Sequence, residues 1–208
     1  MKFNPYLIVK NFEDEIANFT GSKYAISVDS CTNAIFLISK YLKVKEVIIP
    51  SKTYLSIPQS IIHAGGTVVF DKREETNNWK GLYQLKPYPI FDSAKRLRKN
   101  MYIKDSFMTL SFHIKKSLGI SKGGMILTND EEATQWFKKA RYEGRSELNY
   151  KDDDIEFLGW NMYMTPQQAA HGLTLLQNYD ENSLDQIEPN GYRDLTEFSV
   201  FKDYKVIT

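Results

Sequence analysis

The chain has 208 residues, of which 42% are apolar and 13% aromatic, enough to bury one sizeable core and too apolar for a disordered tail. Its 27 basic and 26 acidic side chains nearly cancel, so no global field argues for nucleic acid or an anionic membrane surface. A single cysteine, Cys31, leaves no intramolecular disulfide, and no metal-ligand spacing includes it. The opening MKFNPYLIVK lacks the apolar run of a signal peptide and no stretch reaches the length of a membrane span, so a cytosolic location is expected.

Along the chain, strand-like and helix-like segments alternate, the pattern of an α/β domain. Phe12, Ile16 and Phe19 repeat at helical spacing and Gly21 ends that helix. KYAISV, from Lys23 to Val28, reads as a buried strand, and Thr32 to Lys43 as an amphipathic helix with Ile35, Ile38 and Leu42 on one face. Val47 to Pro50 is a second strand, Ser56 to Ala64 a helix, Gly66 to Asp71 a third strand and Pro89 to Asp92 a short fourth. Between the last two, DKREETNNWKGLYQLK is polar and is expected to be irregular. An apolar run with Phe107, Met108, Leu110 and Phe112 and a second strand from Met125 to Thr128 flank a polar loop. A helix follows from about Asp130 to Tyr142, acidic at its start as the helix dipole favours. Thr165-Pro166-Gln167-Gln168 carries the cap, the first-turn proline and the glutamine of a capping box, opening a helix to about Asn178. The stretch from Tyr179 onward has no clear periodicity.

Several segments carry chemistry. The loop after Phe112 presents Ser111, His113, Lys115 and Lys116, and Gly123-Gly124 turns the backbone into the next strand. A lysine held there becomes nucleophilic if its ammonium is desolvated or set beside another cation, although solvated loop charge has the same appearance. Asp29-Ser30-Cys31-Thr32-Asn33 joins a strand to a helix, so free N–H groups and small hydroxyls meet at a helix N-terminus. Such a turn suits a phosphate, or is an ordinary Ser/Thr cap. Tyr54 offers a flat apolar face or core filling, and Asp92 ends its strand as a functional carboxylate or a turn residue. The basic run Lys95-Arg96-Leu97-Arg98-Lys99 has no evident partner.

Five blocks in this order, S-C-T-N-A, P-S-K-T-Y, F-D-S-A, S-F-H-I-K-K with G-G-M, and G-W-N-M-Y-M-T, resemble the DegT/StrS-type sugar aminotransferases over roughly Phe12 to Asn178. The resemblance implies a three-layer α/β/α fold with a mostly parallel central sheet, the large domain of the fold type I enzymes that use pyridoxal 5′-phosphate (PLP). It implies that Lys116, not Lys115, carries PLP as a Schiff base, with Ser111 opening the lysine motif among the cofactor ligands. Ser30, Cys31 and Thr32 are then the phosphate contacts, Tyr54 packs on the cofactor ring, and Asp92 keeps the pyridine nitrogen protonated. Lys95 stands where the family usually has glutamine or histidine near the phenolic oxygen; it would stabilise the phenolate or point to solvent with the basic run. Asn161 reaches the cofactor phosphate of the other subunit in the family and so implies a homodimer with shared active sites. Tyr163 stands where arginine is usual. The family's dehydratase branch has histidine at the lysine position, so Lys116 argues against that branch and His113 is left as a packing or positioning residue.

The implied function is transfer of an amino group from glutamate or glutamine to a nucleotide-linked keto-deoxysugar, with Lys116 as nucleophile and as proton carrier. Typical relatives place another strand and helix between Asp71 and Phe91, and continue after the last helix into a small domain. Here residues 1–178 correspond to the PLP-binding large domain, and 179–208 form a short tail in the small domain's place. That shortening keeps two alternatives open: a PLP- or sugar-nucleotide-binding protein that has lost turnover, and a cofactor-free structural or regulatory homologue.

Overall fold

The computed structural model describes residues 4, 6–187 and 191–208. Helix α1 (Leu7–Thr20) closes where expected, at Gly21, whose φ of 79° is the left-handed value that favours glycine. Strand β1 (Tyr24–Val28) then leads through Ser30 into α2 (Cys31–Tyr41), and β2 (Glu46–Pro50), α3 (Ser56–His63) and β3 (Thr67–Asp71) follow. Next come a one-turn α4 (Glu74–Asn77), β4 (Tyr83–Leu85), β5 (Ile90–Asp92), β6 (Phe107–Ser111) and β7 (Gly124–Thr128). The last elements are α5 (Glu131–Ala140), α6 (Pro166–Gln177), two 3-10 turns at Leu195–Glu197 and Ser199–Phe201, and β8 (Lys205–Ile207). Asp130 caps α5 by accepting from the Ala133 amide at 2.9 Å. Thr165 and Gln168 make the reciprocal capping box of α6, with Pro166 in its first turn.

The strands form two ladders, β1-β7-β6-β5-β4 and β2-β3-β8. A bridge between Ile48 and Lys86, with N–H···O distances of 2.7 and 3.1 Å, joins them side by side. Pairing is antiparallel for β1/β7, β6/β7 and β4/β5 and parallel for β5/β6, β2/β3 and β3/β8. Followed through the bridge, only β4 and β7 oppose the other strands, so the sheet is mostly parallel in strand direction. Its central strands are apolar on both sides because helices cover both faces. Ile26, Ile126, Ile35 and Phe137 pack in one core with α2, α3 and α5, while Phe12, Ala25, Met125, Leu127 and Ala169 pack in a second with α1 and α6. The three-layer α/β/α arrangement is therefore the one expected. Beneath it lies a buried ion pair absent from the sequence reading: the Arg141 guanidinium meets the Glu13 carboxylate and the Ser27 carbonyl, tying α5 to α1 and β1.

Two segments depart from expectation. The stretch between Asp71 and Lys86 is not wholly irregular, since it holds α4 and β4. Three residues alternating in and out are too short a signal to read in a polar context, and β4 exists because its backbone finds partners on β5 and at Ile48. The described residues after Tyr179 form few regular elements but are tied down at several points. β8 extends the sheet along β3, and Leu195 and Phe201 are buried in the α2/α3-side core. The basic run supplies the anchor: Arg96 Nη2 lies 2.6 Å and Arg98 Nε 2.9 Å from the Asp185 carboxylate, and Lys99 Nζ lies 2.9 Å from Glu181. Among the described residues, no helix is long and apolar enough to cross a membrane.

Two variants test this framework. Asp185→Ala strands two guanidinium groups; a charged hydrogen-bonded pair is worth about 1.5–3 kcal/mol, reduced here by the solvent around Arg98. Thermal denaturation is expected to show a modest fall in Tm, and hydrogen exchange a selective loss of protection after residue 178. At Gly124, an added Cβ would stand 2.4 Å from the Ser30 carbonyl carbon and 2.5 Å from the Cys31 nitrogen, both backbone atoms that cannot rotate away. Gly124→Ala is expected to cost at least the ~1–3 kcal/mol of ordinary overpacking, read as a lower urea midpoint.

Candidate active site

A cavity of about 930 Å³ opens at the carboxyl ends of β5 and β6, bounded by the N-termini of α2 and α3, the lysine loop and the C-terminal tail. This is where α/β sheets present ligand sites, because loops and helix N-termini converge there. Ser30, Cys31, Thr32, Tyr54, Asp92, Lys95, Ser111 and Lys116 all line it. Asn161 does not.

The turn before α2 is both cap and cavity wall. The Ser30 hydroxyl accepts from the Asn33 amide at 3.2 Å and donates to Asp29 at 3.1 Å, while the Asn33 side chain donates to Asp29 at 2.7 Å. The Thr32 and Ser56 hydroxyls lie 2.9 Å apart, joining the starts of α2 and α3. The Cys31 thiol is buried and points to Thr109 Oγ1 at 3.4 Å. Burial, then the nearby Asp92 charge, push it far above the ordinary thiol value, so it stays protonated and offers no nucleophile.

The lysine loop is fixed at its base by the Phe112 amide on the Gly123 carbonyl at 2.9 Å and the Ile114 amide on the Ser121 carbonyl at 3.1 Å. Within it, the Lys116 amide donates to the His113 carbonyl at 2.8 Å, and the Lys115 amide faces His113 Nδ1 at 3.3 Å. His113 is exposed, so it orders the loop and does not pack a core. Lys116 is half-buried, and its charge acts on both Asp92 and Cys31.

Asp92 is 5% exposed. Oδ1 accepts from the Ala94 amide at 2.9 Å and Oδ2 from the Tyr83 hydroxyl at 2.8 Å. Burial raises its carboxyl above the ordinary value, opposed by those two donors and by the charges of Lys116 and Lys95. Lys95 is also 5% exposed. Its ammonium lies 4.5 Å from the Tyr192 ring centroid and 5.7 Å from that of Trp79, a cation–π setting. Of the two alternatives for Lys95, the solvent-facing one is therefore wrong: the residue turns inward, away from the arginines beside it.

Asn161 sits outside the cavity, donating to Glu143 at 2.7 Å and bridging to Tyr142 through the backbone. Tyr163 packs edge-on to Tyr142, whose hydroxyl also receives Arg145 at 3.1 Å. The sequence reading missed Thr53 and Trp79 in the cavity wall, Tyr83 behind Asp92, and the contribution of the tail, which includes Gln186, Tyr192 and Arg193. A signal existed for the tail in the acidic pair Glu181 and Asp185, the complement of the unexplained basic run. Gln186 then completes the attachment, its amide donating to the Lys95 carbonyl at 2.9 Å and its side chain to the Lys115 carbonyl at 3.1 Å.

The electrostatics of Asp92 make a stability prediction. A carboxyl whose folded value lies above its unfolded value lowers stability as pH rises from the unfolded to the folded value, and the full cost persists above it. Asp92→Asn removes that cost, so without any ligand the variant is expected to melt above wild type at neutral pH. The gap should close as pH falls below the ordinary carboxylate range, where both side chains are neutral. Thermal melts across pH check this; a constant gap would mean that packing, not charge, separates the two.

Apart from the block around Asp92 and Lys95, the motifs that line this cavity fall within the match to a family model. The model of the DegT/DnrJ/EryC1/StrS aminotransferase family covers residues 3–80 and 99–190. The spore coat polysaccharide biosynthesis protein SpsC of Bacillus subtilis is 29% identical over 83% of this chain and 57% of its own length. The GDP-perosamine synthase of Caulobacter vibrioides is 27% identical over 84% of this chain and 57% of its own. The chain thus spans little more than half the length of these relatives. A DegT DnrJ EryC1 StrS aminotransferase from Brucella abortus, of known structure, superposes with a TM-score of 0.78 at 16% identity, covering 96% of this chain and 79% of the other. The gap in the family match, residues 81–98, takes in β4 and β5, and the blocks on either side hold the lysine loop and the α2 turn. On this evidence the chain belongs to the DegT/DnrJ/EryC1/StrS aminotransferase family.

Proposed function

We propose that the chain is a PLP-dependent sugar aminotransferase, transferring an amino group from glutamate or glutamine to a nucleotide-linked keto-deoxysugar in cytosolic amino-sugar biosynthesis. The observation that carries this reading is the convergence of Lys116, the buried Asp92 and the N-terminus of α2 on one cavity. The donor set fits the cofactor. A buried carboxylate disfavoured by desolvation gains from a cationic ring nitrogen beside it, and a helix N-terminus with Ser30 and Thr32 suits a phosphate. Lys95, Lys115, Lys116, Lys122 and Arg193 line the same cavity, where Asp92 is the one carboxylate among the described lining residues. With Lys122 paired to Asp29 and Arg193 to Glu197, Lys115 and Lys116 are the cations that would meet a polyanionic substrate, in keeping with kinship to a GDP-sugar enzyme.

Bound there, PLP supplies an aldehyde carbon for amine attack and a protonated ring that withdraws electrons. Lys116 would supply the amine that holds the aldehyde, and its Nζ, once freed, would take the proton from the donor's Cα and deliver it to the former aldehyde carbon. Asp92 keeps the ring nitrogen protonated, Tyr54 covers a ring face, and Lys95 supplies positive charge. In this reading residues 1–178 are the PLP-binding domain, the tail closes the cavity, and Asn161, exposed on the outside, serves the phosphate site of a second copy in a homodimer.

A second reading, a PLP- or sugar-nucleotide-binding protein without turnover, is favoured by Tyr192 and Arg193, which bring the tail into the cavity wall. Both are tested by loading wild type and Lys116→Ala with PLP, removing free cofactor and recording visible spectra during titration with glutamate and glutamine. The aminotransferase reading expects a band that requires Lys116 and bleaches with a donor. A band that persists with both donors supports the binding protein, and no band at all returns the fold to a cofactor-free role.

A further inference from the structure

The strand that the sequence concealed delivers a residue to the centre of the site. Antiparallel pairing of β4 with β5 sets Tyr83 directly opposite Asp92, so the two side chains share one face of the sheet. The Tyr83 hydroxyl donates to Asp92 Oδ2 at 2.8 Å and lies 2.6 Å from Thr53 Oγ1. Because its one proton goes to Asp92, it accepts from Thr53. Thr53 is 2%, Asp92 5% and Tyr83 7% exposed, so bulk water does not compete for these bonds.

We propose that Tyr83 is a positioning residue: its hydroxyl, oriented by Thr53, fixes the Asp92 carboxylate so that its remaining lone pairs face the ring nitrogen of the bound cofactor. This rests on the PLP reading above. Among the described residues Asp92 carries two donors, the Tyr83 hydroxyl and the Ala94 amide, and two carboxylate oxygens can accept about four. The site therefore holds the side chain at both ends and leaves acceptor capacity toward the cavity. Tyr83 also opposes the burial that pushes the Asp92 carboxyl up, as do Lys116 and Lys95, whereas the Asp92 charge raises the neighbouring Cys31. The Tyr83 phenol is itself driven well above its ordinary value, by burial first and by Asp92 next. It consequently remains a donor throughout the working pH range. The arrangement depends on the short hairpin: Tyr83 comes from the segment where family relatives place a further strand and helix.

The test is Tyr83→Phe, which keeps the ring against Trp79, 4.7 Å between centroids, and removes only the hydroxyl. In cofactor-free protein, carboxyl-carbon NMR of labelled aspartate, with Asp92 identified through Asp92→Asn, is expected to show the Asp92 midpoint moving up. Thr53→Val, which leaves Tyr83 in place, should move it the same way by less. Binding is then compared for PLP and for its 1-deaza analogue, in which carbon replaces the ring nitrogen. Tyr83→Phe is expected to weaken PLP by about tenfold, the order of one hydrogen bond to a charged group, and to leave the analogue's affinity unchanged. An unmoved Asp92 midpoint, or equal weakening of both ligands, would overturn the positioning role. Wild-type protein that binds neither ligand would overturn the cofactor reading and the role toward the cofactor with it, while the NMR midpoint still reports the Tyr83–Asp92 bond.

Discussion

The site exists because one backbone can lie directly against another. Gly124 opens β7 where the first turn of α2 crosses it, and the space a Cβ would fill is occupied by the Ser30 and Cys31 main chain. That approach brings the free N–H groups of a helix end beside the strand that closes the lysine loop. Any side chain at residue 124 would push α2 outward, separating the phosphate-type turn from Ser111 and Lys116. The neighbouring layers hold the geometry from behind. Ile35 and Ile38 seat α2 in one core, and Met125 and Leu127 seat β7 in the other, so neither element can shift without opening a cavity.

A second constraint follows from burial. Asp92 has been taken out of water at a position where no guanidinium or ammonium forms a direct salt bridge with it among the described residues. Its stabilisation is indirect, through two hydrogen-bond donors and the longer-range charges of Lys116 and Lys95. A permanent close cation would make the carboxylate cheaper to bury but would occupy the direction a ligand needs. The arrangement gives up some stability in the empty protein to keep that direction open, the usual relation between a strained site and the fold that supports it.

Much of this was legible from residue order because the signals were local. Gly21, Ser30, Asp130 and the Thr165–Gln168 box act within a few residues of themselves, and the structure uses each as a terminus or cap. The long apolar strands β1, β6 and β7 were legible for the same reason. What escaped is non-local. β4 has no pattern of its own and is a strand only by virtue of β5 and Ile48. Tyr83 therefore gave no sign of meeting Asp92, although nine positions separate them. The Glu13–Arg141 pair joins residues on different helices, and neither residue type announces burial. For Lys95 the sequence left two directions open, the cofactor site or solvent with the basic run, and the structure sends Lys95 into the cavity and its neighbours Arg96, Arg98 and Lys99 to the tail.

That last division links charge to architecture. Arg96, Arg98 and Lys99 face Asp185 and Glu181, so the run that presents Lys95 to the cavity also docks the segment covering it. Gln186 couples the two further, because it bonds the backbone of Lys95 and of Lys115 at once. Beyond that anchor, Tyr192 supplies a ring face to the Lys95 ammonium, and β8 secures the far end on β3. Gln186 and residues of the stretch 192–198 thus contribute to the cavity wall from a segment held by ion pairs on one side and a strand pairing on the other. Of these pairs Lys99–Glu181 is exposed at both ends and is the one that salt screens, whereas the Asp185 carboxylate is only 10% exposed and its pairs are shielded.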